Sequence, residues 1–500
     1  MLPQIASYAP SKRYKALEKV KEFLRPGAQR SRGREGLLPA LGIILKDDKH
    51  LVRAKVLRVP ELVAAGVPIP QGKSEMWAPV VSKATFNVEP ARATACHVVV
   101  VHHERISQSA ANRVYVTIKN LVNSFRAHFK FGDSAPTFVS AGDGARHSGA
   151  ITRHFAGNLP PNVFVLDFLK PKGKLDPEYS VVKMILANGG YLSQCVSFST
   201  CAHDNPRDQQ KKSTIILQGV ARQVLQKLGV QLWWVKIPRD LPLPAIFVGA
   251  DVFHSPPQYN PKTKKRERKK SCAAIIVQII RKHDSCSRVE IYSKTHERAG
   301  GQEFNLEDVL KTTVQEALRT FKVNPASAIV WRDGIDDASL ATVAKREALG
   351  VRQGLEGGVT GQAKSKAAPS LAYIVCQKRI ANKFFARHQE HEDGSLASPA
   401  GTLVEDMQRI ENHPTFYING RAPPYSTPKP VRYVIVEKDK NLTDIPQLTW
   451  GQSFAYPNWT GPIKVPNVCM LAHKLAEFAG NFRDSGRNIN PSITTNLHYL

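Results

Sequence analysis

Two aspartates close apolar runs that lie far apart in the chain. Asp251 follows residues 243–250 (LPAIFVGA) and Asp333 follows residues 328–332 (AIVWR), so each run predicts a buried strand with one carboxylate at its end. In an open α/β sheet, chemistry collects outside the carboxyl ends of the strands, where neighbouring parallel strands bring distant side chains together. Two hard oxygen ligands placed that way suit a divalent ion. Without a cation the buried carboxylates would repel and their pKa values would separate, and Mg2+ removes that cost. Either residue taken alone also fits a helix N-cap or a turn, so the case rests on what surrounds them.

The chain has 500 residues, 42% hydrophobic and 22% charged, enough for two or three compact domains and unlike a disordered polypeptide. Its 70 Lys and Arg against 42 Asp and Glu leave a net charge of +28, which calls for a polyanionic partner, nucleic acid first. A ribosome or an anionic membrane surface would satisfy the same charge. No run of about 18 apolar residues is present to span a bilayer. The first residues, MLPQIASYAPSKRYKALEKV, lack the apolar core of a secretory signal. These features predict a cytoplasmic protein without a membrane partner, with the nucleus as a second compartment. The seven cysteines, at 96, 195, 201, 272, 286, 376 and 469, are odd in number and form no CxxC pair, which fits reduced thiols. Cys195, Cys201 and His203 cluster without an evident fourth ligand, so core thiols are expected there rather than zinc.

Elements that would position the aspartates follow from the hydrophobic pattern. Residues 1–90 read as a short helix, a loop carrying the basic run RSRGR (30–34) and a few strands. From Cys96 onward strands alternate with helices: HVVVV, a helix over 114–129, NVFVLDFL, YSVVKMILA, QCVSFS and IILQGVARQVLQKLG. That alternation predicts an α/β, Rossmann-like parallel sheet. A second such region starts near 236, with strands IFVGAD, AAIIVQII, VEIYSK, AIVWRD, SLAYIVCQKR and VRYVIVEK and helices over 305–321, 337–349, 443–455 and 468–480. Seven of the ten residues 261–270 (PKTKKRERKK) are Lys or Arg, a solvated surface loop suited to phosphate contacts without base preference. Residues 354–368 (GLEGGVTGQAKSKAA) read as a flexible loop.

Several separated motifs agree with one another: GADVFHS (249–255), GQE (301–303), WRDG (331–334), CQKR (376–379) and VPNVCMLAH (465–473). Together they resemble the Piwi domain of Argonaute proteins, a ribonuclease H-like fold. The resemblance implies a catalytic tetrad of Asp251, Glu303, Asp333 and His473, with Asp251, Asp333 and His473 as ligands to Mg2+ or Mn2+ and Glu303 closing the site from a loop. Upstream, YSVVK (179–183), SQC (193–195) and QKLG (226–229) resemble the Argonaute MID segment. It implies that Tyr179, Lys183, Gln194 and Lys227 bind the 5′ phosphate of a guide strand. Two positions depart from the family pattern: Gln223 and Phe478 stand where cations are expected, with Arg222 and Lys474 as the nearby alternatives.

Residues 1–90, through GIILKDDKHLVRAKVLRVPEL (42–62), resemble the linker that follows the PAZ domain. The resemblance thus divides the chain into a linker region (1–90), a MID domain (91–235) and a Piwi domain (236–500), with the N-terminal and PAZ half of a full-length Argonaute absent. It implies an endoribonuclease that pairs a small guide RNA with a complementary target RNA, alongside silencing-complex proteins. The other readings are a guide-loaded scaffold that does not cut, and another ribonuclease H-like nuclease. Glu303 also fits an exposed loop acid, His473 a satisfied helix histidine, Tyr179 a core aromatic, and Lys183 and Lys227 solvated helix lysines.

Overall fold

The computed structural model describes residues 41–42, 54–65, 67–69, 81, 83, 85–86, 92–142, 145–156, 162–169, 177–197, 206–254, 258–260, 264–267, 271–284, 288–298, 306–358, 368–386, 398–405, 412–421, 428–442, 444–481 and 489–500. The expected first helix, the RSRGR run, Cys201, His203 and Glu303 lie outside them.

The first α/β unit is built on the strand Thr94–His103, flanked on one side by Val163–Leu169 and Leu192–Ser197 and on the other by Phe129–Phe131 and Thr137–Ala141. Every pairing is parallel. Helices Gln108–Ser124, Ala145–Phe155 and Pro177–Asn188 make the crossovers and Pro206–Lys227 follows the last strand; the hydrophobic pattern names each of them except Ala145–Phe155. One helix ends earlier than its pattern suggests. Gln108–Ser124 stops because Asn123 exchanges hydrogen bonds with the backbone of Phe131 (2.9 and 3.1 Å) and Arg126 turns at φ 47°, which folds Phe129–Phe131 back as a strand.

The second unit is not a second parallel sheet. Its nine described strands run in the order Ile291–Arg298, Ser271–Ile280, Ala245–Phe253, Ser327–Asp333, Ser370–Gln377, Val431–Lys438, Thr415–Ile418, Thr402–Glu405, Ala54–Val56. Only Ala245–Phe253, Ser327–Asp333 and Ser370–Gln377 are mutually parallel, and the rest pair antiparallel. The reason is connection: among the described residues no helix intervenes between Ala245–Phe253, Ser271–Ile280 and Ile291–Arg298, so they return as a meander. Within the basic run, Lys265–Glu267 pairs with Gln258–Asn260 rather than lying in a free loop. The first residues of the expected loop at 354–368 differ, because the helix Lys345–Gly358 includes them; residues 359–367 lie outside the described residues. There a Cβ on Gly350 would stand 2.2 Å from the Glu307 carbonyl oxygen, so glycine lets this helix press against Glu307–Phe321.

Side-chain alternation assigns the faces. Ile246, Val248, Ala250, Ala328 and Val330 belong to the core under the Glu307–Phe321 and Lys345–Gly358 helices. Ala245, Phe247, Ile329 and Trp331 belong to the core under the helix Asn467–Asn481. Asp251 and Asp333, of the same parity as the second set, therefore project toward Asn467–Asn481.

That helix comes unusually close. A Cβ on Gly249 would lie 2.1 Å from the Val468 carbonyl oxygen and 2.3 Å from its carbon. Gly249→Ala must push the helix off the sheet, and the expected loss is about 2–3 kcal/mol of stability. A urea unfolding midpoint equal to that of the unsubstituted protein would refute this close packing.

Candidate metal centre and anion pocket

Asp251 sits inside the strand Ala245–Phe253, Asp333 is the last residue of Ser327–Asp333, and His473 is on Asn467–Asn481. The strands are parallel neighbours, with Ala250 opposite Arg332, so the aspartates come next in register. Asp251 and Asp333 are 8% and 4% exposed. One ligand atom from each of Asp251, Asp333 and His473 falls within 4.8 Å of the others. His473 Nδ1 lies 2.7 Å from Asp251 Oδ2, and the Val252 N–H donates to Asp251 Oδ1 at 2.7 Å. Two carboxylates and an imidazole converging in this way are a donor set for a divalent cation of the Mg2+ or Mn2+ class. Three of the four tetrad residues are thus together, and Glu303 is outside the described residues.

A fourth side chain enters that the motif reading left aside. Lys378, directly after the strand Ser370–Gln377, ion-pairs Asp333. Alternation gives the signal for it: Ile374 and Cys376 lie on the Asp333 face of the sheet, and residue 378 continues their parity. Gln377, on the opposite parity, donates to Ile335 O and Asp337 Oδ1 (2.8 Å each) and so fastens the turn after Asp333.

The two carboxyls are driven apart in acidity. Burial pushes Asp251 up, but the hydrogen bond and charge of His473, with Lys378 and Arg332 beyond, outweigh it and hold Asp251 below the usual carboxylate range. Burial and the charge of Asp251 push Asp333 above that range, against the pull of Lys378 and His473. Like charges side by side produce this split.

A second constellation lies in the first α/β unit. Lys183 Nζ donates to Ser193 O (3.2 Å), Ser193 Oγ (3.3 Å) and His498 O (3.1 Å), and Lys227 Nζ donates to the same Ser193 O (2.8 Å) and to Gln194 Oε1 (2.8 Å). Two ammonium groups, 2% and 1% exposed by residue, thus share one carbonyl oxygen. They are not solvated helix lysines. Burial holds both below the ordinary lysine range, and the charge of Lys183 lowers Lys227 further. Tyr179 is half-buried on the Lys183 helix, and burial raises its hydroxyl pKa. Cys195 approaches Asp167 at 3.9 Å, and Asp167 pairs with His147 at 3.1 Å, so this thiol is a protonated neighbour of the pocket, raised to about 12 by burial and Asp167. Of the nearby alternatives, Lys474 is engaged by Glu477 (2.8 Å). Phe478 packs edge-on against His498, whose burial beside Lys183 lowers it to about 3 and keeps it neutral. A buried lysine pair of this kind is suited to an anion.

The Piwi domain family model matches residues 164–484, well over half of the chain. Piwi-like protein 1 of Schmidtea mediterranea is 29% identical over 342 residues, covering 65% of this chain and 38% of its own length. Protein argonaute-3 of Drosophila melanogaster is 25% identical over 512 residues, covering the whole of this chain and 52% of its own length. The chain therefore spans about half or less of these relatives. Among solved structures, Drosophila Piwi superposes with a TM-score of 0.69 at 18% identity, over 90% of this chain and 56% of that one. Kluyveromyces polysporus Argonaute with a guide RNA superposes at 0.68 and 17% identity, over 90% and 57%. These likenesses establish an Argonaute-type MID–Piwi fold with a ribonuclease H-like sheet.

The lysine pair yields a pH signature. In the folded state the two ammonium groups lose protons below the ordinary lysine range, so between that point and about pH 10.4 the unfolded chain binds more protons and stability rises with pH. Lys227→Met, which keeps the stem and removes one charge, should flatten the rise. Urea midpoints for both proteins from about pH 7 to 10 measure it; parallel curves would rule out a mutually repelling pair.

Proposed function

The chain belongs to the Piwi domain family, and from that membership we propose that it binds the 5′ phosphate of a small guide RNA and cuts a complementary target RNA. Residues 91–235 would carry the guide end and residues 236–500 the nuclease centre. The observation that supports this reading most is the convergence of Asp251, Asp333 and His473 within 4.8 Å, in a protein that also holds a buried lysine pair. Kluyveromyces polysporus Argonaute is described with a guide RNA, the class of ligand inferred here.

Asp251, Asp333 and His473 would hold divalent ions, and Glu303 would close the site. When bound, such ions supply Lewis acidity and a lowered pKa for water at a phosphodiester. The chain's own residues prepare the place. Asp251, kept ionised by His473, is an oxygen ligand at every physiological pH. The sheet and Asn467–Asn481 bury both carboxylates, which strengthens each charge interaction they make. Lys183, Lys227 and Gln194 would take the terminal phosphate, with Tyr179 stacking on the first base, while guide pairing would supply sequence choice.

Asp333→Ala should lower cleavage of a target paired to a 5′-phosphorylated guide, in Mg2+, by more than about two orders of magnitude, while guide affinity stays unchanged. Uncut target with the unsubstituted protein, guide still bound, would favour the non-cleaving scaffold. Replacing the guide 5′ phosphate by hydroxyl should weaken binding by about tenfold or more, and Lys227→Met should erase that difference. Equal binding of both guides would return the chain to a general ribonuclease H-like nuclease.

A further inference from the structure

Behind the metal centre, on the opposite face of the sheet, lies a buried charge network. Arg332 is 4% exposed and Glu347 is 0% exposed. Arg332 Nε donates to Glu347 Oε2 at 3.2 Å, and Tyr373 donates its hydroxyl to the same oxygen. The other guanidinium arm donates to the carbonyl oxygen of Asp333 itself. Glu347 comes from the helix Lys345–Gly358, Tyr373 from the strand next to that of Asp333.

Two sets of anions act on Arg332: Glu347 beneath the sheet, which it contacts, and the Asp251–Asp333 pair above it, whose charges act at longer range. A buried guanidinium cannot be shed by deprotonation, so it must be neutralised by one set or the other. With Glu347 in place, its charge is spent beneath the sheet and both upper carboxylates remain available as ligands. Without Glu347, the same cation would be balanced by Asp251 and Asp333, in direct competition with a divalent ion.

We propose that Glu347 is a positioning residue of the metal centre, which keeps the charge of Arg332 off the ligand carboxylates and so sets the affinity for a divalent ion. The inference rests on the metal-site reading given above. It names residues outside the tetrad, and it acts through charge rather than contact with the ion.

Mn2+ binding by the whole chain, followed by calorimetry and by the electron paramagnetic resonance signal of free Mn2+, tests it without recourse to cleavage. Glu347→Gln keeps the shape and removes the charge, and should weaken Mn2+ binding by about tenfold or more. Glu347→Asp, which keeps the charge, should stay within about threefold of the original. The double variant Arg332→Met, Glu347→Gln removes both charges and should also return to within about threefold. A merely structural network predicts that Glu347→Asp, which shortens the side chain and breaks the contact, weakens Mn2+ binding as much as Glu347→Gln does, and that result overturns the proposal. Unchanged binding in Glu347→Gln overturns it as well. If Glu347→Gln does not fold, the double variant decides alone, because deleting a buried ion pair whole is tolerated far better than breaking it; binding more than about tenfold weaker then counts against the proposal. No Mn2+ binding by the unsubstituted protein would instead remove the metal-site reading beneath it.

Discussion

Asp251 and Asp333 carry the same charge on adjacent strands, on one face of a sheet that leaves both nearly dry. At a separation of no more than 4.8 Å, an effective dielectric of about 20 makes their repulsion at least about 3 kcal/mol. A folded chain must answer that. The neighbourhood is accordingly cationic or hydrogen-bond donating: His473 and the Val252 N–H on Asp251, and Lys378 on Asp333. The site is organised by the need to keep two anions together, and a divalent ion would meet that need more completely than any of these groups.

Proximity alone would not assemble the site. Parallel pairing puts the two strands in step, side-chain alternation turns both carboxylates to one face, and Gly249 admits Asn467–Asn481 close enough for His473 to reach Asp251. The lysine pocket is coupled to the same sheet through residues 489–500. There Asn490 N donates to Ala187 O, Asn496 Nδ2 donates to Lys227 O, and His498 O accepts from Lys183, while Ser293 of the edge strand donates to Thr494 O. One short segment thus touches both pocket lysines and the sheet that carries the aspartates.

Much of this was legible in the sequence because it depends on local pattern. Unbroken apolar runs announced Ala245–Phe253 and Ser327–Asp333, and helical spacing announced Glu307–Phe321 and Asn467–Asn481. What escaped depends on contacts across distance. The antiparallel turns of the second sheet follow from which strands share an edge, and the glycines at 354 and 357, which read as the start of a loop, belong to a helix because another helix lies against them. Lys378 and Glu347 were invisible as site neighbours for a related reason. Charged residues at a strand end and on a helix carry no sign of burial until the sheet faces are assigned.

The two charged sites also divide the work that a net charge of +28 leaves undone. Cations spread over a protein surface attract any polyanion, fade with salt, and cannot tell one phosphate from another. A buried pair can. Lys183 and Lys227 present two charges around a single carbonyl oxygen, away from water. An internal phosphodiester brings one negative charge and leaves one ammonium uncompensated, whereas a terminal phosphate approaches two and satisfies both. Because the uncompensated charge is buried, the difference is not diluted by solvent. On the proposed reading, preference for a strand's phosphorylated end therefore follows from counting charges in a dry pocket, with no base-specific contact required.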